Sequence, residues 1–434
     1  MNKTITHVLM SVAGLLALQG LAETTIGDVV AKQRWPWSRL VDIDYVVTGE
    51  QGTRVDVSLT AKDGVTTLTL PQNSLTGDLN GVGPGLKRIV WDPTQTVYTN
   101  NLMLTQFNVT LAPTESPLYM IIDLTKNAGD SGQIQYVTES DLTNNVWGAW
   151  VRNPVTNRGT VVQSVIWTGV TNGTTYKTDK LVLRRVSAGS FYEGDDDGTK
   201  ANNVTLTKEM YVGVFEVTQK QWNLVMGTTG GTDTQAKQPV SYYEVRENPA
   251  NSDDPNVDWP ANKNVNTNSF MGKLRTKTGL SDFDLPTEAQ WEYTCKARTT
   301  TVFSDGNAAA KYTAGEANNN NFTNQYLNMV GWYKYNDPTP PTTAQPVGGK
   351  LPNAWGLYDT NGNVWELCLD WWYAAYAETG NDPDGPASGS SRLLRGGSWD
   401  RAAYYCRSAS RLDIPPDYKI GNQVIGFRVV RTLP

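Results

Sequence analysis

Between Arg34 and Thr114, apolar residues recur at every second position in short runs. Val41, Ile43, Tyr45 and Val47 form one run, and Val55, Val57 and Leu59 form another. Leu68 and Leu70 stop at Pro71, Ile89 to Trp91 stop at Asp92-Pro93, and Phe107, Val109 and Leu111 alternate again. A period of two places such side chains on one face of a strand, and the Gly, Pro and Asn between runs keep the strands short. The pattern predicts a small all-β sandwich over 34–114. Trp35-Pro36-Trp37 is either a sugar platform or sandwich packing, and aromatic burial favours packing. Residues 115–175 contain one apolar stretch, Leu118 to Leu124, and otherwise read as a connecting region.

The pattern changes after residue 176. Leu181-Val182-Leu183 and Val186 open a strand-like segment that runs on to Gly189-Ser190-Phe191. Thr218 with Gln221, and Thr287 with Gln290, have the three-residue spacing of capping boxes. Each precedes an apolar set at helical spacing: Trp222, Val225 and Met226 before Gly227, then Trp291 and Tyr293. Beyond these helices, Gly- and Asn-rich loops dominate, interrupted by short strands at Leu393-Leu394 and Phe427 to Val430. The expectation is an α+β domain with large irregular content.

Composition narrows the chemistry. Lys3, the apolar run Val8 to Leu18 and the small residues near Ala22 read as an export leader over 1–22, with a membrane anchor as its alternative. No later stretch has the apolar length of a membrane span. The expected location is therefore extracytoplasmic: secreted, periplasmic or at the cell surface. The sequence has one histidine, His7, which falls in that leader. Histidine-bound iron, zinc or copper and histidine-dependent nucleophilic catalysis are thereby excluded from the mature chain. The net charge of −6 gives no electrostatic case for nucleic acid. The 15 Trp, 20 Tyr and 39 Gly against 18% charged residues suit a loop-rich fold packed on aromatics.

Four ordered stretches carry a family resemblance. They are Gly189-Ser190-Phe191 with Glu216-Val217-Thr218; Leu285 to Tyr293; Gly356 to Glu366; and Arg395-Gly396-Gly397-Ser398-Trp399 with Gly426-Phe427-Arg428. Together they resemble the signature blocks of the formylglycine-generating, sulfatase-modifying factor family. That resemblance implies a loop-rich, C-type-lectin-like α+β fold over 176–434, preceded here by the β-sandwich.

The segment Asp359 to Glu366 sets two carboxylates seven residues apart around Asn and Gly. By itself it is either an Asn-Gly turn or a loop turning oxygens toward a hard cation. The resemblance implies structural Ca²⁺ here, held by the side chains of Asp359 and Glu366 and the carbonyls of Gly362 and Val364. It also implies a second calcium loop near Ala317 to Lys334, whose ligands do not align.

The family's oxidase activity on protein cysteine, which matures sulfatases, uses copper held by two thiolates, the soft ligands Cu(I) favours. They fall at the third and eighth residues after the Arg-Gly-Gly-Ser element. In this chain those residues are Arg401 and Cys406. A second alignment matches Cys406 to a structural cysteine whose partner corresponds to Cys295, which implies a Cys295–Cys406 disulfide. Cys368 then reads as a buried free thiol. On that alignment no copper pair is present and no iron site is expected.

Arg395, Arg401, Arg407, Arg411 and Arg428 lie close in sequence to Asp400, Asp413 and Asp417. Arginines at such spacings hold loops together more often than they serve catalysis. Trp399, Asp400, Arg401, Tyr404, Tyr405 and Tyr418 form a Tyr-rich segment suited to display on a rigid scaffold. The sequence therefore supports a calcium-stabilised, non-catalytic domain binding an unidentified protein or glycan. The alternatives are an oxidoreductase of the formylglycine-generating family and a retroelement-diversified display protein.

Overall fold

The computed structural model describes residues 24–433 except 35–37, 50–54, 72–73, 81, 97–103, 105, 115–116, 139–149, 158–159, 168–172, 195–201, 251–256, 307–323, 337–338, 375–379 and 419–423. The leader and the Trp35-Pro36-Trp37 cluster lie outside the described residues. The chain divides into two compact units, Met1–Ser116 and Pro117–Pro434.

The first unit is a sandwich of two antiparallel sheets. Strands β1 (Thr25–Gln33), β2 (Val41–Thr48), β3 (Asp56–Asp63), β4 (Thr66–Leu68), β5 (Leu75–Gly77), β6 (Gly85–Trp91) and β7 (Phe107–Thr114) are arranged as β1-β2-β6-β5 and β4-β3-β7. The period-two pattern is realised in β2, where Val41, Ile43, Tyr45 and Val47 are buried. They pack with Val57, Ala61, Leu111, Ile89 and Trp91 in one core drawn from both sheets. Strand β1 begins before the expected boundary. Its alternation is broken at Gly27 to Val30, where the register against β2 shifts and Asp28 takes a φ of 50°.

In the second unit the connecting region contributes to the sheet. Strands β8 (Tyr119–Asp123) and β9 (Ile134–Val137) join it, and β10 (Trp150–Asn157) with β11 (Thr160–Trp167) forms a separate antiparallel ribbon. Then follow β12 (Lys180–Val186), β13 (Gly189–Glu193), β14 (Asn202–Leu206), β15 (Met210–Gly213), β16 (Phe283–Asp284), β17 (Trp365–Trp371), β18 (Gly380–Asn381), β19 (Arg392–Arg395), β20 (Arg411–Ile414), β21 (Ile425–Gly426) and β22 (Val430–Thr432). The central sheet runs β16-β22-β15-β12-β8-β9. Both its faces are buried, and alternate residues serve opposite cores. Met120, Ile122, Leu181 and Leu183 enter one, while Tyr119, Ile121, Val182 and Val212 enter the other. Two smaller sheets, β13-β14-β18 and β20-β19-β17-β21, complete the α+β unit.

Helices fill the gaps between sheets. Gln219–Met226 and Glu288–Lys296 begin with the expected capping boxes, Thr218 with Gln221 and Thr287 with Gln290. Each box satisfies two backbone N–H groups that a helix start leaves without partners. Phe270–Thr278, capped by Ser269, and the short helix Tyr242–Val245, boxed by Ser241 and Glu244, are further helices. No helix among the described residues is long and apolar enough to cross a membrane.

Trp91 is fully buried and stacks on Phe107 at 5.6 Å between centroids. Trp91→Ala is expected to destabilise the first unit by roughly 3–5 kcal/mol through lost transfer energy and a residual cavity. Calorimetry of the whole chain should show the change in one transition only, leaving the unit from Pro117 onward unaffected.

Candidate functional site

The four sequence blocks meet at one buried centre. The loop Asp359 to Glu366 has left-handed backbone at Asp359, Gly362 and Asn363. A Cβ on Gly362 would lie 2.1 Å from the Trp332 carbonyl oxygen, so that close approach admits only glycine. The Gly362 N–H donates to the Gly396 carbonyl, and the Asn363 N–H donates to that of Trp332, each at 2.8 Å. Glu216 accepts from Asn363 Nδ2 at 2.6 Å and from the Val364 N–H at 3.1 Å. Glu366 receives Arg428 in a bidentate pair, with both contacts at 2.6 Å, and Trp291 Nε1 at 2.9 Å. Arg428 also donates to the carbonyls of Gly213 and Tyr358. The first, second and fourth blocks thus clamp the third.

Three carboxylates crowd this loop. Glu216, Asp359 and Glu366 are buried near the Arg428 guanidinium, and the charges of Lys177 and Lys350 also act on Asp359. Burial pushes Asp359 up to about 6, against the pull of the Gly348 N–H and of Arg428. Burial, with the charges of Asp359 and Glu366, raises Glu216 well above the usual carboxylate range. These residues bear directly on the expected calcium. Asp359 fits in part, since its Oδ1 is buried without a hydrogen-bond partner. Glu366 does not fit, because Arg428 and Trp291 use both its oxygens. Among the described residues no group of three or more His, Cys, Asp or Glu side chains is arranged to hold a metal ion. As placed, Asp359, Gly362, Val364 and Glu366 belong to a loop that closes around the Arg428–Glu366 ion pair. Much of the Ala317 to Lys334 stretch falls outside the described residues.

The expected Cys295–Cys406 disulfide is not formed; Cys295, Cys368 and Cys406 are all free and buried. Cys295 Sγ lies 3.5 Å from both the Thr360 carbonyl and Ser408 Oγ. Cys406 Sγ lies 3.9 Å from the Ser398 carbonyl. Asn361 Nδ2 reaches both the Cys406 carbonyl at 2.8 Å and Cys295 Sγ at 3.9 Å, which gives the two thiols separate environments. Burial pushes Cys295 up to about 11 and Cys406 up to about 12.

The Tyr-rich segment is only partly a surface. Trp399 is half-buried against both cores, and its backbone N–H donates to the Asn363 carbonyl. Asp400 accepts from Ser398 Oγ at 2.7 Å and lies 3.6 Å from Arg401. Tyr404 and Tyr405 form a T-shaped pair at 5.5 Å, with Arg407 over Tyr404. Arg401 and Tyr405 are exposed, whereas Tyr418 is exposed on a separate turn after β20. Between Trp399 and Tyr405, Arg401 and Tyr405 are thus the exposed side chains, and Ala403 is buried between them.

The other arginines act as internal ties. Arg395 pairs with Glu292 and donates to the Ser410 carbonyl, and Arg411 is bidentate on Glu288 at 2.6 and 2.8 Å. Sequence reasoning missed the acids of this network, which also holds Asp370 and Glu193. Asp370 accepts from the Glu288 N–H at 2.7 Å. Glu193 is buried with an Oε2 that has no partner, and burial beside Glu292 and Glu288 pushes it up to about 9.

Fold and site together define a scaffold in which arginine–carboxylate ties hold long loops around a two-faced sheet. The family model for the sulfatase-modifying factor enzyme 1-like domain matches residues 171–433. The chain belongs to this family. It is 30% identical over 257 residues to "Chaperone protein LppX" of Paenibacillus barcinonensis, covering 53% of this chain and 81% of that protein. It is 36% identical over 160 residues to the formylglycine-generating enzyme of Streptomyces coelicolor, covering 33% of this chain and 45% of the enzyme. The solved structure of Treponema denticola variable protein 1 aligns at 26% identity and a TM-score of 0.41, covering 58% of this chain and 96% of that one.

Two outcomes test these electrostatics. Arg428→Met strands buried carboxylates and is expected to cost roughly 3–5 kcal/mol in urea unfolding. Glu193 binds a proton in the folded chain up to about pH 9. Unfolded Glu loses its proton near about pH 4.3. Its contribution therefore favours folding below the unfolded value and is lost as pH rises toward the folded one. Glu193→Gln should flatten the decline of stability between those limits and raise stability at pH 8.

Proposed function

We propose that this chain is a non-catalytic member of its family, exported from the cytoplasm, that binds a protein or glycan. The reading is carried by the segment after Ser398. Arg401, exposed, stands at the third following position, and the thiol at the eighth, Cys406, is fully buried. Cys406 is further closed in by Gly397, where an added Cβ would lie 2.6 Å from the sulfur. Copper chemistry at these positions would need a second soft ligand that Arg401 cannot supply.

Binding is supported by the Trp399–Tyr405 patch, where exposed Arg401 and Tyr405 sit on a backbone tied down by Lys334 and Asn363. Rigid aromatic and cationic groups lose little conformational freedom on contact. The relative named as a chaperone favours the protein-binding version, because most of its length is matched. Calcium is not required for this reading, since the Arg428–Glu366 pair supplies a cation to the loop where the resemblance implied a metal.

Incubation of purified protein with Cu(I) and a Cys-x-Pro-x-Arg peptide is expected to give no aldehyde product by mass spectrometry. Turnover would overturn the reading. In the same preparations, Ca²⁺ or EDTA is expected to leave the melting temperature unchanged. A calcium-dependent rise would restore the structural ion to the loop. On glycan and protein arrays, Arg401→Ala and Tyr405→Ala should weaken whatever binding the wild type shows.

A further inference from the structure

A cavity lies where β13 and β14 meet the C-terminal end of helix Glu288–Lys296. Its volume is about 320 Å³, at the lower end of the ~300–1,000 Å³ typical of small-ligand sites. Phe191, Tyr192, Tyr293, Lys296, Arg298 and Thr300 are among its lining residues, and every charged lining residue is a cation. That is notable in a chain of net charge −6.

The aromatic wall is fixed. Tyr293 donates to the Ser187 carbonyl at 3.2 Å and packs on Phe191 at 5.3 Å and on Trp355 at 5.0 Å. Gly189 permits this placement, since a Cβ there would lie 2.4 Å from Tyr293 Oη. Tyr192 adds an exposed ring. The cations differ in their commitments. Lys296 is buried, pairs with Glu292 at 2.6 Å and donates to the Tyr192 carbonyl at 2.8 Å. Arg298 is exposed, and among the described residues its guanidinium has no hydrogen bond or ion pair. Its backbone is also unusual: after Ala297 caps the helix at a φ of 45°, Arg298 takes a second left-handed conformation at 71°. Non-glycine residues pay for that geometry, and such outliers gather at ligand sites.

We propose that this cavity is a subsite for an acidic sugar, with Arg298 holding a carboxylate or sulfate and the ring lying against the aromatic wall of Phe191 and Tyr293. An arginine fork matches a planar or tetrahedral oxyanion, and aromatic rings with nearby hydroxyls suit the two characters of a sugar face. The inference rests on the binding reading above, but it uses none of the residues of the Trp399–Tyr405 patch.

The test is a calorimetric titration of the full chain with glucuronate, 6-sulfated N-acetylglucosamine, inorganic sulfate and glucose. One or both acidic sugars should bind, and glucose should not. Arg298→Gln should weaken that binding roughly tenfold or more, the scale of a charged hydrogen bond. Arg298→Gly should remove binding while raising the melting temperature, because glycine relieves the left-handed backbone. Failure of both acidic sugars to bind the wild type would overturn the subsite, as would binding that survives Arg298→Gln or Arg298→Gly. Inorganic sulfate bound as tightly as the sulfated sugar would reduce it to a bare anion contact and overturn recognition of the ring. A failed titration of the wild type with its array binding intact would sink this site alone and leave the binding reading standing. Copper-dependent turnover would end that reading without altering the titration.

Discussion

The buried pair between Arg428 and Glu366 is the constraint on which the second unit depends. Two charges have been taken out of water, so each must find partners in full. Arg428 does so by joining Glu366 to the carbonyls of Gly213 and Tyr358. Those groups belong to β15, to the entry of the Asp359 loop and to β17. One guanidinium therefore fixes the distance between the central sheet and the smaller β17 sheet. The loop between them inherits its left-handed turns from that fixed frame, and Gly362 is the residue that lets it pass beneath Trp332.

Local chemistry was legible in the sequence. The capping boxes at Thr218 and Thr287 involve residues three apart, and a motif of that length carries its own geometry. The β2 alternation was equally plain, because period two and burial coincide there. Strand β1 escaped notice, since the shift at Gly27–Val30 breaks the alternation that reveals a strand. The helix Phe270–Thr278 was missed as well, and its apolar face becomes evident only against Trp222 and Phe427.

The site divided along the same line. Asp359 and Glu366 were visible as a pair, but the guanidinium that pairs with Glu366 was not. Arg428 lies 62 residues from Glu366 and reaches a carbonyl 215 residues away. A sequence pattern shows carboxylates without showing which of them a distant cationic side chain already answers. The cysteines failed for a related reason. Cys295 and Cys406 do come near the same residue, Asn361, but that amide and separate hydrogen-bond partners take the place of a covalent link. Shared neighbours are not bridging geometry.

This economy of charge also gives function its most useful contrast. Arg246, Arg392, Arg395 and Arg428 are buried and engaged with carboxylates, so they serve the fold. An arginine in such a structure becomes informative when it is exposed, free of partners among the described residues, and held in backbone that costs energy. Arg298 meets all three conditions beside a rigid aromatic wall. Arg401 meets the first and lies in a patch whose backbone is tied from two sides. The internal arginines are accounted for by the loops they hold. The proposed binding therefore rests on residues the scaffold leaves unused, because function lives in sites placed on a fold and not in the fold itself.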